Sequence, residues 1–300
     1  MKKKLTFMEW SLNMRSDKNA QPHEAFYQAI KACVPQPDVL FLVETVKGND
    51  FEVDGYIFVA ESDNPIGNTT RLAVRSDLLN SGEIRVLGTC GSIPHTHFDE
   101  APHYAQADVL FNGQVLNLIA TRVLIHFGQN TAEEYRQRRQ QFDLLTQHVS
   151  TLKNPVVMGD FNHGRILGFG KESANVVRHL FGERMQVQGD YFYQSMRESL
   201  LEHDLEIHTP NALLSCGAKV VDGVVQAEAS PSWNYKIDHL LMRANTDAVK
   251  LEDIRYDWGH LEWALENGAN PDILKRKGFP DHAMLLATIT VKSEAESEDQ

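Results

Sequence analysis

Ionisable and amide side chains occur at the ends of apolar segments at six separate places in this sequence. Burying isolated carboxylates is costly unless they are paired or hold a cation. Carboxylate and amide oxygens are the hard ligands that suit Mg²⁺ or Mn²⁺, and no cysteine belongs to this set. If the strands come together, their ends would surround one cleft with the side chains of Asn13, Glu44, His126, Asp160, Asn162, Asp238, Asp281 and His282.

The segment VVMGDFNHG, residues 156–164, is the most distinctive of these endings. Its apolar run is typical of a strand covered on both faces, and Gly159 permits a sharp turn or the close approach of another group. Asp160 and Asn162 would share one face if the extended conformation continues through them. An ordinary turn after a strand is the alternative, since Asp, Asn and Gly are common turn residues. This stretch alone leaves both interpretations open.

The elements that must position these side chains are short strands mixed with a few helices. Residues 22–34 have the apolar spacing of an amphipathic helix, residues 130–149 predict a second helix, and Asn112-Gly113 is a strong hairpin signal. Apolar strands are predicted at LTFMEW, DVLFLVE, YIFVA, RLAV, EIRVLG, ADVLF, VLNLIATRVLIH, VVMGD, YKIDHLLM and MLLATITV. Many strands and few helices favour an α+β sandwich with antiparallel pairs over a doubly wound parallel sheet.

The chain length and composition fit one globular domain. The 300 residues are 42% hydrophobic, which is enough for one large core, and the sequence shows neither an internal repeat nor a long linker. We therefore expect a single domain over residues 1–292. Residues 293–300 are acidic, lack apolar anchors and are predicted to form a disordered, solvated tail.

Several features of the sequence favour a cytoplasmic protein without membrane association. No apolar run approaches the roughly 18 residues needed to span a bilayer. The basic N-terminus is typical of a signal peptide, but Glu9, Asn13 and Arg15 interrupt any apolar segment and no small-residue cleavage site follows. The 3 cysteines are widely separated, which fits a reducing compartment and no disulfide framework.

The formal net charge of -12 argues against a surface that binds a polyanion by charge alone, because counterion release needs clustered Lys and Arg. This charge does not exclude a nucleic acid as ligand. A metal-dependent site collects carboxylates, and a bound divalent cation can reverse the local field where a phosphate would lie.

The ordered set of LTFMEWSLNM, VLFLVE, LIH, GDFN, YKIDHLL and PDHAMLL resembles the endonuclease/exonuclease/phosphatase superfamily. Deoxyribonuclease-I-like and exonuclease-III-like enzymes are among its members. The resemblance covers nearly the whole chain, and GDFN is its most specific element. It implies a four-layered α/β sandwich, in which helices flank two central, mixed and largely antiparallel β-sheets. It also implies a divalent-metal-dependent phosphodiesterase or phosphatase site at one end of that sandwich.

The resemblance implies metal-binding roles for three residues. Glu44 matches the principal metal carboxylate of the superfamily, and Asn13 matches the amide beside it. Asp281 matches a further carboxylate on the metal side. The implied cofactor is Mg²⁺ or Mn²⁺.

Other residues match catalytic positions of the superfamily. Asp160 matches the residue that orients or deprotonates the attacking water, and Asn162 matches the residue that holds the phosphate or that aspartate. His126 matches a histidine that contacts the phosphate. Asp238 and His282 match an Asp-His pair in which the carboxylate orients the imidazole.

Basic residues near these positions are the candidate phosphate contacts. Arg165, just after GDFN, and Arg122 are the predicted substrate-binding residues. For Arg136, Arg138 and Arg139, on the second predicted helix, we expect a solvated outer face.

The loop PHTHFDEAPHY offers a different metal site. His95 and His97 would place two imidazoles on one side of a strand, as in a zinc site, with His103 close by. Histidines on an exposed connection are the commoner explanation, because no cysteine or fixed ligand pair completes the set. We expect this loop to form a rim that touches substrate.

The resemblance implies a Mg²⁺- or Mn²⁺-dependent phosphodiesterase, and its favoured form is a nuclease that hydrolyses DNA by in-line attack of an activated water. A phosphatase or phospholipid phosphodiesterase of the same fold is the alternative among enzymes, and the acidic composition favours it somewhat. A non-catalytic binding module is the alternative outside enzymes. Such modules usually lose site residues, whereas here the site residues are present.

Overall fold

The structure is a computed structural model that describes residues 2–64, 67–94, 101–125, 132–162, 197, 199–229 and 236–293, without the side chains of residues 132–136. The strands are β1 (Lys3–Ser11), β2 (Val39–Val46), β3 (Tyr56–Glu61), β4 (Asn68–Arg75), β5 (Ile84–Cys90), β6 (His103–Phe111), β7 (Gln114–Arg122), β8 (Pro155–Asp160), β9 (Leu205–His208), β10 (Lys219–Val221), β11 (Val224–Gln226), β12 (Asp238–Arg243), β13 (Val249–Asp257) and β14 (Met284–Val291). The helices are α1 (Glu24–Ala32), α2 (Ser76–Asn80), α3 (Ala132–Val149) and α4 (Gly259–Glu266), with a 3₁₀ helix at Pro271–Lys275. None of these described helices has the length and apolar character needed to cross a membrane.

Most of the strands belong to two sheets of six strands each. The strand order is β13-β14-β1-β2-β4-β3 in the first sheet and β5-β6-β7-β8-β12-β9 in the second sheet. Each sheet has one parallel pair near its centre, β1 with β2 and β7 with β8, and its other pairs are antiparallel. Both sheets are therefore mixed and largely antiparallel, as predicted.

Alternating apolar side chains on the central strands hold the layers together. On β1, Phe7 faces the core between the two sheets, whereas Met8 and Trp10 belong to an outer core that includes residues of α1. On β8, Met158 faces the same central core, and Val157 packs in an outer core with residues of α3. The order of layers is helix, sheet, sheet and helix, which confirms the predicted sandwich.

The predicted elements occur close to their predicted positions. Asn112 and Gly113 both have positive φ angles and close the hairpin between β6 and β7, as a two-residue turn requires. The first predicted helix ends at Ala32, so Val34 lies outside it and is exposed. The second arm of the hairpin ends at Arg122, before the predicted end of that strand. Arg122 is therefore the last residue of β7.

Gly159 is required where β7 and β8 run side by side. A Cβ atom at Gly159 would lie 1.8 Å from the carbonyl oxygen of Thr121, its register partner across the parallel pair. We expect Gly159→Ala to lower the free energy of unfolding by about 3 kcal/mol, because the two strands must move apart. Gly88→Ala is the matched control, since nothing lies within 4 Å of a Cβ atom there. Chemical denaturation measures both variants, and equal stabilities would contradict the expected clash.

Candidate active site

The register of the second sheet brings polar strand ends together. β8 pairs antiparallel with β12, so Asp160 lies opposite Asp238. β7 pairs parallel with β8, so Arg122 lies opposite Asp160 on the other side. Both aspartates are buried. A buried carboxylate is costly unless a positive or hydrogen-bonding partner compensates its charge. One guanidinium and two carboxylates therefore meet where the three central strands of this sheet begin or end.

Asn162 holds both carboxylate oxygens of Asp160. The backbone N–H of Asn162 donates to Oδ1 at 2.8 Å, and its side-chain Nδ2 donates to Oδ2 at 2.9 Å. The same Nδ2 donates to the carbonyl oxygen of Val123 at 2.7 Å, which fixes the orientation of the amide. Asn162 has a left-handed φ of 47°, so the chain turns at this point instead of continuing as a strand. The turn gives Asp160 a single fixed orientation.

The environment of Asp160 favours its protonated form. Burial raises the pKa of Asp160 to about 7, and the carboxylate of Asp238 acts in the same direction. His282, Arg122 and the backbone N–H of Asn162 act in the opposite direction, because they stabilise the ionised form. Asp160 therefore exchanges a proton near neutral pH, which suits a general base.

Asp238 and His282 form a buried pair. Nδ1 of His282 lies 3.1 Å and 2.9 Å from the two carboxylate oxygens of Asp238. An ionised carboxylate only accepts hydrogen bonds, so Nδ1 carries a proton. The other ring nitrogen, Nε2, lies 3.9 Å from Oδ1 of Asp281. Burial alone would lower the pKa of His282, but the charge of Asp238 raises it well above its ordinary value. The imidazole is therefore positively charged at neutral pH.

Side chains of the first sheet fix the position of this pair. Nε1 of Trp10, on β1, donates to the carbonyl oxygen of His282 at 3.0 Å. The hydroxyl of Tyr256, on β13, donates to the carbonyl oxygen of Asp238. Because Asp238 begins a strand of the second sheet, the pair connects the two sheets at the site.

Glu44 reaches the site from the first sheet. It has a φ of 54°, at an irregularity in the pairing of β2 with β4, which takes its side chain out of the regular strand alternation. One carboxylate oxygen of Glu44 lies 2.5 Å from Nη2 of Arg122. Nε of the same arginine lies 3.6 Å from Oδ2 of Asp160. Arg122 therefore bridges the carboxylates of the two sheets.

Glu44 and Asp281 supply the oxygen ligands that Mg²⁺ and Mn²⁺ prefer. Burial raises the pKa of Asp281, the charge of His282 opposes this, and the charge of Glu44 acts in the same direction as burial. Oδ1 of Asp281 is buried and has no hydrogen-bond partner among the described residues. Within the described part of the chain, no group of three or more His, Cys, Asp or Glu side chains is arranged to hold a metal ion. Two carboxylates with an unsatisfied oxygen nevertheless fit a cation that keeps several of its waters.

Asn13 is engaged by the protein itself. Its Nδ2 donates to the carbonyl oxygen of Phe279 at 3.1 Å, and its Oδ1 accepts from Nε of Arg15 at 2.7 Å. Its backbone carbonyl accepts from the N–H of Gly278. Asn13 therefore joins the chain after β1 to the chain before β14. Because an amide oxygen has two lone pairs, the bond from Arg15 leaves one for a cation, and the role of Asn13 as a metal ligand stays a prediction.

Two predicted site residues, His126 and Arg165, lie outside the described residues, as does the tail from residue 294, so these predictions stay untested. Of the three histidines considered for zinc, His103 lies within the described ranges. It is the first residue of β6 and is buried. Burial lowers the pKa of His103 to about 3, and the charge of Arg122 acts in the same direction. His103 is therefore neutral at physiological pH.

Two polar residues of β1 were not among the predicted site residues. Glu9 and Ser11 alternate with Met8 and Trp10, which face the outer core, so Glu9 and Ser11 point between the sheets. Both are fully buried, and neither their carboxylate oxygens nor the hydroxyl has a hydrogen-bond partner among the described residues. The signal that could have found them was their inward position in an otherwise apolar strand.

The arginines of α3 differ from each other. Arg138 is half-buried, and its Nη1 donates to the carbonyl oxygen of Asn162 at 3.4 Å, so the expected solvated position was wrong for this residue. Arg139 is partly exposed and pairs with Asp143 one helical turn later, as a solvated face predicts. The side chain of Arg136 is outside the described part. One arginine of this helix therefore supports the turn after β8.

Comparison with solved structures finds proteins of the same fold. An AP endonuclease from Archaeoglobus fulgidus matches with a TM-score of 0.56 and 15% identity, over 94% of this chain and 98% of that chain. The 3′ phosphatase NExo from Neisseria, bound to a product DNA hairpin, matches with a TM-score of 0.54 and 17% identity, over 94% and 98%. The inositol polyphosphate 5-phosphatase domain of SPsynaptojanin, in complex with inositol (1,4)-bisphosphate and calcium, matches with a TM-score of 0.52 and 12% identity, over 99% and 88%. No family model and no curated protein matches the sequence, and at these identities the likeness establishes the fold alone.

The raised pKa of Asp160 predicts a pH dependence of stability. Its value is about 7 in the folded protein and ordinarily 3.8, so its contribution is fully present below pH 3.8 and is lost as the pH rises to about 7. Asp160→Asn cannot titrate. We therefore expect the unfolding free energy of the metal-free wild type, relative to that of Asp160→Asn, to fall as the pH rises from 3.8 to about 7. The fall should be at most about 1.4 kcal/mol per pH unit.

Denaturant unfolding in EDTA at several pH values measures this difference. Asp143→Asn, which removes a partly exposed carboxylate of α3 outside the site, is the matched control. A constant difference between wild type and Asp160→Asn from pH 4 to pH 7 would contradict the raised pKa.

Proposed function

We propose that this chain, which has the fold of the endonuclease/exonuclease/phosphatase superfamily, is a divalent-metal-dependent phosphoesterase that hydrolyses phosphodiester bonds in DNA. The resemblance read from the sequence is confirmed at the level of the fold. The observation that supports the activity most is a single buried aspartate, Asp160, which Asn162 orients beside the Asp238 and His282 pair. This combination provides a base and a fixed positive charge in one place.

Glu44 and Asp281 would hold Mg²⁺ or Mn²⁺. When bound, the cation supplies positive charge that stabilises the negative charge developing on the phosphate oxygens. Arg122 keeps Glu44 oriented through its Nη2, and its other N–H groups can donate to a phosphate oxygen. This is the substrate-binding role that the resemblance implies for Arg122.

Asp160 accepts the proton of the attacking water. Both of its oxygens accept hydrogen bonds from Asn162, so the carboxylate is already oriented when substrate binds. A pKa of about 7 leaves a large ionised fraction at neutral pH and makes Asp160 a stronger base than an ordinary aspartate. A nearby bound cation would lower this pKa, since it favours the charged form.

His282 stabilises charge on the phosphate. The hydrogen bonds from Nδ1 to Asp238 hold the ring, and the raised pKa keeps it protonated at neutral pH. The ring also has a hydrogen bond with the thiol of Cys216, so Nε2–H would donate to a phosphate oxygen in place of that contact, and such charge-assisted bonds are stronger than neutral ones. Asp238 acts through His282, as a positioning residue.

Two considerations favour DNA as the substrate. This chain is similar in fold to a protein named as an AP endonuclease and to a phosphatase bound to a DNA hairpin. The site also carries its own cationic groups, Arg122 and His282, so it can bind a phosphodiester although the chain has a net charge of -12.

A phosphatase acting on small phosphoesters is the second candidate. The net charge of -12 favours it, because a compact phosphate ester does not need an extended basic surface. This chain is also similar in fold to a 5-phosphatase domain bound to inositol (1,4)-bisphosphate. The same residues would act on either substrate, so a direct comparison of substrates decides between them.

Incubation of the purified protein with Mg²⁺ and a substrate panel tests the proposal. The panel contains duplex DNA, single-stranded DNA, a DNA oligonucleotide with a 3′ phosphate, RNA and inositol (1,4)-bisphosphate. We expect shorter oligonucleotides from DNA, and EDTA should abolish them. Release of inorganic phosphate without strand cleavage would favour the second candidate. Absence of hydrolysis on every member of the panel would contradict both.

Asp160→Asn tests the assignment of the base. We expect kcat to fall by about 10²–10⁴-fold on whichever panel member the wild type hydrolyses, since amide oxygen is a poor proton acceptor. The wild-type rate should decline at acidic pH, where Asp160 takes up a proton, with a midpoint below 7 because the bound cation lowers this pKa, and the variant should lack this decline. Asp143→Asn is again the control. A variant with wild-type kcat and an unchanged pH profile would rule out Asp160 as the base.

A further inference from the structure

We propose that a cavity between α1, α4 and β13 is a binding site for a small zwitterion with an apolar body, of the class of α-amino acids with aromatic side chains. The cavity has a volume of about 450 Å³, which lies within the range of small-molecule sites. β13 is the edge strand of the first sheet, and the cavity lies on the outer face of that sheet. The proposal therefore goes beyond the proposed function and does not rest on it.

Strand alternation places one cation and one anion on the wall of this cavity. Tyr256, on β13, faces the central core, so its neighbours Arg255 and Asp257 point to the opposite face of the sheet. Both of these charged residues line the cavity. Their Cα atoms lie about 7 Å apart, because they are two residues apart on a strand. A molecule that carries a negative and a positive group close together can therefore contact both.

Both charged groups keep hydrogen-bonding capacity for a ligand. Nη1 of Arg255 lies 2.8 Å from Oδ2 of Asp253, and this ion pair is half exposed, so it is weak. The guanidinium has further N–H groups that can donate to a carboxylate. Oδ1 of Asp257 accepts from the backbone N–H of Gly259 at 2.7 Å, which leaves Oδ2 to accept from an ammonium group.

His260, the second residue of α4, supplies an acceptor that no described residue uses. It lines the cavity and is fully buried, and its Nδ1 has no hydrogen-bond partner among the described residues. Nε2 lies 3.0 Å from the carbonyl oxygen of Pro280, which only accepts, so Nε2 carries the ring proton. Burial lowers the pKa of His260 to about 3, so the ring is neutral and Nδ1 is an acceptor. A buried acceptor without a donor is costly, and the ammonium group of a ligand would satisfy it.

The rest of the cavity wall matches a large apolar side chain. Ala29 and Ala32 of α1, Trp263 of α4 and Met284 of β14 line it. The two alanines leave room for a ring, and the indole and thioether groups make favourable contacts with aromatic rings. An aromatic amino acid therefore finds an apolar wall beside the pair of opposite charges on β13.

A neutral heteroaromatic base, such as adenine, is the rival occupant. Its ring could stack on Trp263, and its N–H groups could donate to Nδ1 of His260. It carries neither a carboxylate for Arg255 nor an ammonium group for Asp257. The zwitterion uses all of these groups, so the observations favour it.

Calorimetric titration of the purified chain at neutral pH tests the proposal. The probes are L-phenylalanine, phenylacetate, which lacks the ammonium group, phenethylamine, which lacks the carboxylate, and adenine. We expect saturable binding of one phenylalanine per chain. Phenylacetate and phenethylamine should bind about tenfold more weakly or worse, because each loses a charge-assisted hydrogen bond.

Variants of the cavity wall locate the bound phenylalanine. Arg255→Gln and Asp257→Asn should each weaken its binding about tenfold or more, for the same reason. Ala32→Phe, at the exposed end of α1, should abolish it by filling the cavity without touching either charge. Arg85→Gln, which removes an exposed arginine of β5 in the second sheet, is the matched control and should bind as the wild type does. Circular dichroism first establishes that each variant is folded.

A wild type that shows no saturable binding of phenylalanine at millimolar concentrations would overturn the proposal, whatever the folding of the variants. Phenethylamine or adenine bound as tightly as phenylalanine would overturn the zwitterion as the ligand. Unchanged affinity in Ala32→Phe would place the bound molecule elsewhere and would overturn the site. These titrations contain neither a phosphoester nor a metal ion, so failure of the proposed function would leave their result unchanged.

Discussion

The removal of several carboxylates from water is the constraint on which the rest of the site depends. Asp160 and Asp238 are buried side by side, and Glu9 is buried near them. Such groups are tolerated only with compensating charge, so Arg122 and His282 are enclosed with them. Burial raises the pKa of Asp160 towards neutrality, whereas the charge of Asp238 raises the pKa of His282 against the effect of burial. The buried carboxylates therefore account for both the base and the positive charge that the proposed hydrolysis needs.

The fold compensates the buried carboxylates because strands of both sheets begin or end at the same site. The parallel pair of each sheet, β1 with β2 and β7 with β8, directs its carboxyl ends to the site and delivers Glu44, Arg122 and Asp160. Antiparallel neighbours bring Asp238 at the start of β12 and His282 just before β14. Residues far apart in the sequence thus become neighbours through register, and each side chain is carried by a rigid element or lies directly beside one.

Much of the fold could be predicted because its signals are local, namely apolar alternation along strands and helical spacing. The site was less predictable. Asp160 and Asn162 contact each other, but their short segment alone left a strand and a turn open, and only the resemblance implied that Asn162 holds Asp160 or the phosphate. Asn13 instead bonds to the carbonyl oxygen of Phe279, a partner that no local pattern reveals. Glu9 was not among the predicted site residues for a similar reason, since its isolation from hydrogen-bond donors depends on how the two sheets pack.

Crystals grown with Mn²⁺, measured at a wavelength where manganese scatters anomalously, test most directly whether these strand ends hold a cation. We expect a manganese ion bonded to oxygens of both Glu44 and Asp281 at about 2.2 Å. Well-ordered crystals in which Glu44 contacts only Arg122, and in which no manganese lies beside Asp281 at millimolar Mn²⁺, would contradict the central claim.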